Sequence, residues 1–209
     1  MKLCQKYKIH LLADEVYTQA LSVYGVPDPC AVDFKSVLSF DSSPYIDSNL
    51  LHHLYGNPLF VPGVHTELMK AMSAITQFHW TAGPSESLAI AMLEDEEWVE
   101  GFLEKSCKEL ARLNKITRDL LEEKGIRYHS GANAGFFLWT DLRPYLKDTG
   151  KEGCEAEQVL MQHFLDNKVS IVNGESMSAE EPGWFRIIFS QEEWLLREGL
   201  KRVFEVIGV

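Results

Sequence analysis

The chain has 209 residues, 45% hydrophobic and 24% charged, as in an ordinary water-soluble globular protein. Its 31 acidic residues outnumber its 20 lysines and arginines, which argues against a nucleic-acid or anionic-membrane partner, because either needs a basic face. No apolar run approaches the roughly 20 residues of a membrane helix, and no apolar signal-peptide segment is visible near the start of the chain.

The cysteines and histidines predict neither a disulfide framework nor a metal site. The four cysteines are widely scattered: Cys4, Cys30, Cys107 and Cys154. They form no closely spaced pair, so we expect reduced thiols in a cytosolic protein. His52 and His53 are adjacent in a predicted strand and therefore point to opposite faces, and His79 lies far along the chain, so no metal site is predicted.

The first third of the chain predicts short strands. The apolar run Ile9 to Ala13, followed by acidic residues, is typical of a buried parallel strand whose carboxyl end opens onto a site. "SVLSF" (36–40) and "LLHHLYG" (50–56) predict two more strands, and Asn57-Pro58 then favours a turn. These units indicate an α/β sheet but are too few to complete one.

The middle of the chain predicts helices. A helical spacing of apolar residues begins at Glu67, and "ESLAIAML" (86–93) predicts an apolar helix. A long amphipathic helix follows the acidic "EDEE" (94–97) and is expected to end at Gly125. We place a domain boundary between residues 96 and 97, at the start of this helix.

The last third predicts a compact α+β domain. Strands are expected at 134–142, 169–172 and 184–189, with a helix at 155–167. A final helix is predicted to open with a capping box from Ser190 to Glu193. Its core-facing residues would be Leu196, Leu200, Val203 and Ile207.

Asp14 and Tyr17, in "DEVY", are candidate ligand-binding residues at a strand end. A carboxylate there, with a tyrosine three residues on, can meet the two ends of one heteroaromatic ring. The carboxylate would pair with a protonated ring nitrogen and the hydroxyl would donate to a phenolate oxygen. Helix capping or exposure to solvent is the alternative interpretation of these residues.

Arg186 lies midway along the otherwise apolar "GWFRIIFS" (183–190). Burying a guanidinium without a partner carries a large desolvation penalty. Because its planar fork fits a carboxylate, Arg186 predicts either the binding of a small-molecule carboxylate or a structural ion pair. The nearby "NAGFFLW" (133–139) predicts only a glycine turn that leads into a strand.

Six segments together, in this order, resemble fold-type I pyridoxal-phosphate enzymes: "HLLADEVY", "SVLSF", "FHWTAGPSE", "LEDEEWVE", "NAGFFLWTDL" and "GWFRIIFS". The resemblance covers nearly the whole chain. It is strongest to class I/II aminotransferases and their aminocyclopropane-carboxylate synthase-like branch, particularly fungal members. It implies a partial cofactor-binding large domain (1–96) followed by the α+β C-terminal small domain (97–209).

The same resemblance implies roles for the three candidate residues. Pyridoxal 5'-phosphate would be the cofactor, with Asp14 on its pyridine nitrogen and Tyr17 on its 3-oxygen. Arg186 would hold the α-carboxylate of an amino-acid substrate. A homodimer, or pairing with a full-length relative, is implied as the assembly.

The chain departs from the family pattern at the residue that holds the cofactor. In these relatives the strand that ends in "YG" runs into Ser-Lys, whose lysine forms the Schiff base. Here Asn57 follows Gly56, and the next lysine, Lys70, lies in a predicted helix. No catalytic residue is therefore identified, and none of the other lysines lies at a predicted strand-to-loop junction near Asp14. The family's phosphate loop would lie upstream of "ADEVY", so the chain resembles a C-terminal half with an internal deletion.

Three hypotheses follow. The first is an aminotransferase-like protein that acts on an amino acid, in a fungal secondary-metabolite or toxin pathway by resemblance. The second is an inactive, truncated paralogue or a subunit that packs on a full-length relative, which predicts an exposed apolar patch. The third, an acidic interaction module of unrelated origin, explains none of the ordered matches.

Overall fold

The computed structural model describes residues 1–15, 35–55, 59–60, 70–71, 73–74, 82–131 and 134–209. The chain divides into two compact units. The first holds the described residues up to Lys105, and the second runs from Ser106 to Val209. The division falls inside a long helix, and the boundary expected between residues 96 and 97 lies at the start of that helix and stays a prediction.

The first unit contains a three-stranded sheet in the order β1-β2-β3. After helix α1 (Lys2–Tyr7), strand β1 (Leu11–Asp14) pairs in parallel with β2 (Leu51–Tyr55). Strand β3 (Leu59–Phe60) pairs with β2 in the antiparallel direction. The parallel pairing of β1 confirms that part of the prediction, but its expected burial is wrong, because Leu12 is half-exposed.

The strand predicted from "SVLSF" is also wrong. Val37–Ser39 forms a 3-10 helix instead. The cause is a contact distant in sequence: the Val37 backbone N–H and the Ser36 hydroxyl both donate to the buried carboxylate of Glu15, at 2.6 and 2.7 Å. With these donors bound to a side chain, this segment is held against the end of β1 in a turn conformation.

The predicted helices of the middle region are confirmed where the structure describes them. Helix α2 spans Gly83–Leu93 and α3 spans Glu96–Glu123. Residues 70–71 and 73–74 are helical, whereas the rest of the helix predicted from Glu67 lies outside the described residues. Gly125 ends α3 as expected, with a φ of +67° and the Ile126 N–H donating to the Leu121 carbonyl at 2.9 Å.

The second unit contains a four-stranded antiparallel sheet in the order β4-β5-β7-β6. Its strands are β4 (Arg127–Tyr128), β5 (Phe137–Asp141), β6 (Val172–Asn173) and β7 (Trp184–Ile188). Two further helices complete the unit: α4 (Gly153–Asp166) and α5 (Glu193–Ile207).

One face of this sheet packs on the helices and forms the core of the second unit. Leu138 on β5 and Phe185 and Ile187 on β7 are buried there, in one cluster with residues of α3, α4 and α5. The core-facing residues predicted for α5 are confirmed as buried: Leu196, Leu200, Val203 and Ile207. The alternate residues of the strands point to the other face of the sheet.

The predicted capping box of α5 is wrong. The helix begins at Glu193 after Glu192, and neither residue makes a side-chain cap. Glu193 is held elsewhere, since its carboxylate accepts hydrogen bonds from Arg197, at 2.8 Å, and from Arg112 on α3. Because the Glu193 carboxylate forms these ion pairs, it is not available to form the predicted capping box with Ser190.

Candidate functional site

Asp14 is the last residue of β1 and is exposed. Because β1 and β2 are parallel, their carboxyl ends meet at one edge of the sheet, and Asp14 lies beside Leu54 there. Glu15 follows and is buried against Ser36 and Val37. Tyr17, the predicted partner of Asp14, lies outside the described residues. The structure therefore puts one of the two predicted ring contacts at a sheet edge.

The exit from β2 is where the family pattern carries its lysine. In this chain β2 turns back at once: Tyr55 pairs with Leu59, so only residues 56–58 connect β2 to β3. Residues 36–69 contain no lysine. A hairpin thus occupies the place in the chain where a lysine-bearing loop would begin.

One lysine lies nearer to the β1 end than the sequence predicts. Lys35 directly precedes Ser36, whose hydroxyl donates to Glu15 at 2.7 Å. This contact holds the exposed Lys35 close to the carboxyl end of β1. Sequence reasoning missed it because the link depends on a hydrogen bond between residues 21 positions apart.

The residues at the carboxyl ends of β1 and β2 show whether this edge of the sheet suits pyridoxal phosphate. Asp14 supplies the carboxylate expected at the ring nitrogen. The donor set lacks an amine at the exit of β2, where the family's lysine would meet the cofactor's carbonyl carbon. The described residues of the first unit therefore do not fit a cofactor held through a lysine after β2.

Arg186 lies at the centre of β7 and is partly buried. It pairs directly with Trp139 on β5 and with Val172 on β6, and its Cζ atom lies 5.1 Å from the centroid of the Phe137 ring. Its Nε atom is buried and has no hydrogen-bond partner among the residues that the structure describes. No ion pair to Arg186 is formed by the described residues, so the structural ion pair that the sequence left open is not found among them.

Asp141, at the end of β5, is a charged residue that sequence reasoning missed. It is 2% exposed and accepts hydrogen bonds from Arg127 Nη2, at 2.6 Å, and from Arg143 Nε, at 2.9 Å. The hydrogen bond from the Arg143 side chain outweighs burial and holds the pKa of Asp141 below its ordinary value. Asp141 therefore pairs with these two arginines. The signal in the sequence that could have indicated it is an acidic residue at the end of an apolar strand.

Glu157, on α4, ties together the segments that lead into β7. It is fully buried, and its Oε1 atom accepts from Asn173 Nδ2 at 2.9 Å and from the Glu175 backbone at 2.8 Å. Its Oε2 atom accepts from the backbone N–H of Gly183, immediately before β7. The carboxylate therefore fixes the start of the strand that carries Arg186.

The other sequence candidates give no further site. His52 shares a 2.7 Å hydrogen bond with His10, and the two rings stack with centroids 5.0 Å apart. Over the part of the chain that the structure describes, no group of three or more metal-ligating side chains is found. Nor is any helix in that part long and apolar enough to cross a membrane.

The comparisons with known proteins agree on one family. The family model "Aminotransferase class I and II" matches residues 1–203. A mouse relative, 1-aminocyclopropane-1-carboxylate synthase-like protein 1, is 30% identical over 99% of this chain and 41% of its own length. Another mouse relative, named "Probable inactive 1-aminocyclopropane-1-carboxylate synthase-like protein 2", is 29% identical over 97% of this chain and 35% of its own.

Solved structures show the same fold. A tetra mutant of Thermus thermophilus aspartate aminotransferase superposes with a TM-score of 0.74 at 17% identity, over 98% of this chain and 52% of that one. The chain thus spans about two fifths of the length of the mouse synthase-like protein 1 and about half of the solved enzyme. Its fold is that of the fold-type I enzymes. The chain belongs to the class I and II aminotransferase family, whose cofactor is pyridoxal phosphate, in its 1-aminocyclopropane-1-carboxylate synthase-like branch.

Proposed function

We propose that this chain binds the α-carboxylate of an amino acid through Arg186 and does not carry out amino transfer by itself. The observation that carries the proposal is the guanidinium of Arg186, which is partly buried and whose Nε atom has no hydrogen-bond partner in the described part of the chain. A buried cation is costly unless an anion accompanies it. A carboxylate ligand accepts two parallel hydrogen bonds from such a group and supplies the missing charge.

The second half of the proposal depends on the exit of β2. The resemblance puts Ser-Lys, with the Schiff-base lysine, directly after Gly56, but the chain has Asn57-Pro58 there and pairs Tyr55 with Leu59. Without an amine at this point, the chain lacks both the covalent hold on the cofactor and the usual base for proton transfer. The mouse relative whose name includes "inactive" shows that the branch contains a member so described.

Calorimetric titration of the full chain with a panel of L-amino acids tests the first half. We expect binding that Arg186→Gln weakens at least about tenfold, a change of about 1.4 kcal/mol. The matched control is Arg112→Gln, an arginine of the same unit that already pairs with Glu109 and Glu193. Equal binding by the wild type and Arg186→Gln would overturn this half.

Incubation with pyridoxal phosphate and borohydride, followed by mass spectrometry, tests the second half. We expect no stoichiometric adduct at a single lysine and no amino transfer to 2-oxoglutarate. A stoichiometric adduct at Lys35 would show that the lysine near Glu15 replaces the family's amine and would contradict the proposal. A variant with Ser-Lys inserted after Gly56 is the matched control for adduct formation.

A second function is favoured by the surface of the first unit: pairing with a full-length relative. Every residue of α2 is exposed, including Leu88 at 62% and Leu93 at 69%. Trp98 and Phe102, stacked 5.2 Å apart at the start of α3, extend this apolar face. A helix that is apolar all round is normally covered. We propose that another family member covers it.

The acidic charge of this apolar face, formed by α2 and the start of α3, favours some binding partners over others. Residues 82–104 contain seven acidic residues and neither lysine nor arginine: Glu86, Glu94, Asp95, Glu96, Glu97, Glu100 and Glu104. Two copies meeting through this face would therefore oppose like charges, which costs binding energy. A partner with an apolar surface and a basic rim fits better.

Light scattering after size-exclusion chromatography tests the pairing. The chain is mixed with a full-length synthase-like relative, and we expect a complex that Leu93→Glu abolishes. Leu165→Glu is the control, since Leu165 is similarly apolar, 43% exposed and located on α4 of the second unit. Self-association without a mixed complex, or no association at all, would contradict this second function.

A further inference from the structure

The sheet of the second unit has one covered and one open face. Leu138, Thr140, Phe185 and Ile187 are buried on the helix-packed face. Because side chains alternate along a strand, their neighbours form the opposite face. These neighbours are only partly buried: Phe137, Trp139, Trp184 and Arg186.

Arg186 is surrounded by apolar side chains on this open face. Trp139 stands directly opposite it on β5, Val172 stands opposite it on β6, and the Phe137 ring lies under its guanidinium at 5.1 Å. Trp139 in turn stacks with Trp184, with centroids 6.0 Å apart and planes 5° apart. The cation thus projects from a surface of aromatic and aliphatic groups.

The nearest acidic residue along β5 already pairs with two cations and is not available to Arg186. Asp141, opposite Trp184 in the register, is held by Arg127 and Arg143, and the Arg143 guanidinium lies 5.1 Å from the Trp184 ring. This leaves Arg186 to bind an external anion. The rest of such a ligand would meet the Phe137 and Trp139 rings on the β5 side of Arg186.

We infer that this face selects amino acids with large apolar side chains, aromatic ones first, with Trp139 and Phe137 as the residues that determine specificity. The inference rests on the proposed function of Arg186. An aromatic ligand ring removes apolar surface from water and gains offset or edge contacts with the neighbouring rings. A charged ligand side chain would lose hydration here, and the Phe137 ring offers it no hydrogen-bonding group.

Calorimetry on the full chain tests the inference with L-phenylalanine, L-alanine and L-aspartate. We expect L-phenylalanine to bind at least about tenfold more tightly than L-alanine, and L-aspartate to bind no better than L-alanine. Trp139→Leu should reduce the preference for L-phenylalanine to about threefold or less. Trp194→Leu is the matched control, because Trp194 is 69% exposed on α5 and should leave the preference unchanged.

The outcomes separate this inference from the proposed function. Equal affinity for L-phenylalanine and L-alanine, lost in Arg186→Gln, would overturn the specificity and leave carboxylate binding intact. A preference that survives Trp139→Leu and Phe137→Leu would overturn the assignment of these residues. Binding of neither ligand, or binding that survives Arg186→Gln, would overturn the proposed function. Far-ultraviolet circular dichroism and hydrogen exchange in β5 and β7 establish that each variant is folded.

Discussion

The two units of the chain differ in what they bury. In the second unit the sheet and three helices share one hydrophobic core, and buried carboxylates are matched by donors. Among the described residues of the first unit, Ile46 and Leu51 are the buried hydrophobic residues, and the apolar helix α2 is exposed throughout. The second unit is therefore stabilised by a core of its own, whereas the first unit leaves the apolar helix α2 uncovered within this chain.

Glu157→Ala should destabilise the second unit most. Removing the carboxylate leaves donors on Asn173, Glu175 and Gly183 without their acceptor. We expect the free energy of unfolding of the second unit to fall by about 3–5 kcal/mol. Hydrogen exchange should accelerate in β5 and β7 but not in β1 and β2. The control is Glu155→Ala on the same helix, where Glu155 is exposed. Equal acceleration in both units would contradict the expectation that Glu157 stabilises the second unit alone.

Gly183→Ala tests the packing ahead of Arg186. Gly183 has a φ of +98°, and an added Cβ would lie 2.7 Å from Arg143 Cγ and 3.0 Å from Arg143 Cα. We expect a loss of about 2–3 kcal/mol by urea denaturation. Gly125→Ala is the control, because Gly125 has a φ of +67° but open space around it, so only about 1 kcal/mol is expected. Equal losses would show that the contact with Arg143 does not constrain the start of β7.

Asp141→Asn should reveal a pH dependence specific to the second unit. Its pKa is lowered in the folded chain by Arg143, so its charge stabilises the fold at pH above its ordinary value of 3.8, and this contribution disappears as pH falls through the lowered pKa. We expect the variant to be about 1–3 kcal/mol less stable at pH 7. The difference should shrink below about pH 4.

Asp119→Asn controls for charge removal, since Asp119 is an exposed partner of Lys115 and should change stability by at most about 0.5 kcal/mol. Thermal unfolding followed by circular dichroism from pH 7 to pH 3 measures both variants. A difference between wild type and Asp141→Asn that stays constant over this range would contradict the role of the ionised carboxylate.

The helices could be predicted because the sequence pattern that specifies each helix lies within its own residues. The apolar spacing predicted α3 and α5, and Gly125 marked the end of α3 through its own backbone freedom. The strands β5 and β7 likewise carried short apolar runs. Arg186 stood out as a charge inside such a run, and its Nε atom has no hydrogen-bond partner among the described residues.

The features that were missed depend on contacts between distant residues. Val37–Ser39 is not a strand because Glu15 takes its donors, and no local pattern states that pairing. The ring of Phe137 lies against Arg186 only through the register of β5 with β7. The immediate return of β2 as β3 likewise appears only from the pairing of Tyr55 with Leu59.

The central claim, that Arg186 binds a ligand's carboxylate, is tested most directly by a thermodynamic cycle. L-phenylalanine and its decarboxylated analogue phenethylamine are titrated calorimetrically into the wild type and Arg186→Gln. We expect loss of the ligand carboxylate to weaken wild-type binding at least about tenfold, but to change binding to Arg186→Gln by about threefold or less. The same loss in both proteins would show that the carboxylate binds elsewhere and would contradict the role of Arg186.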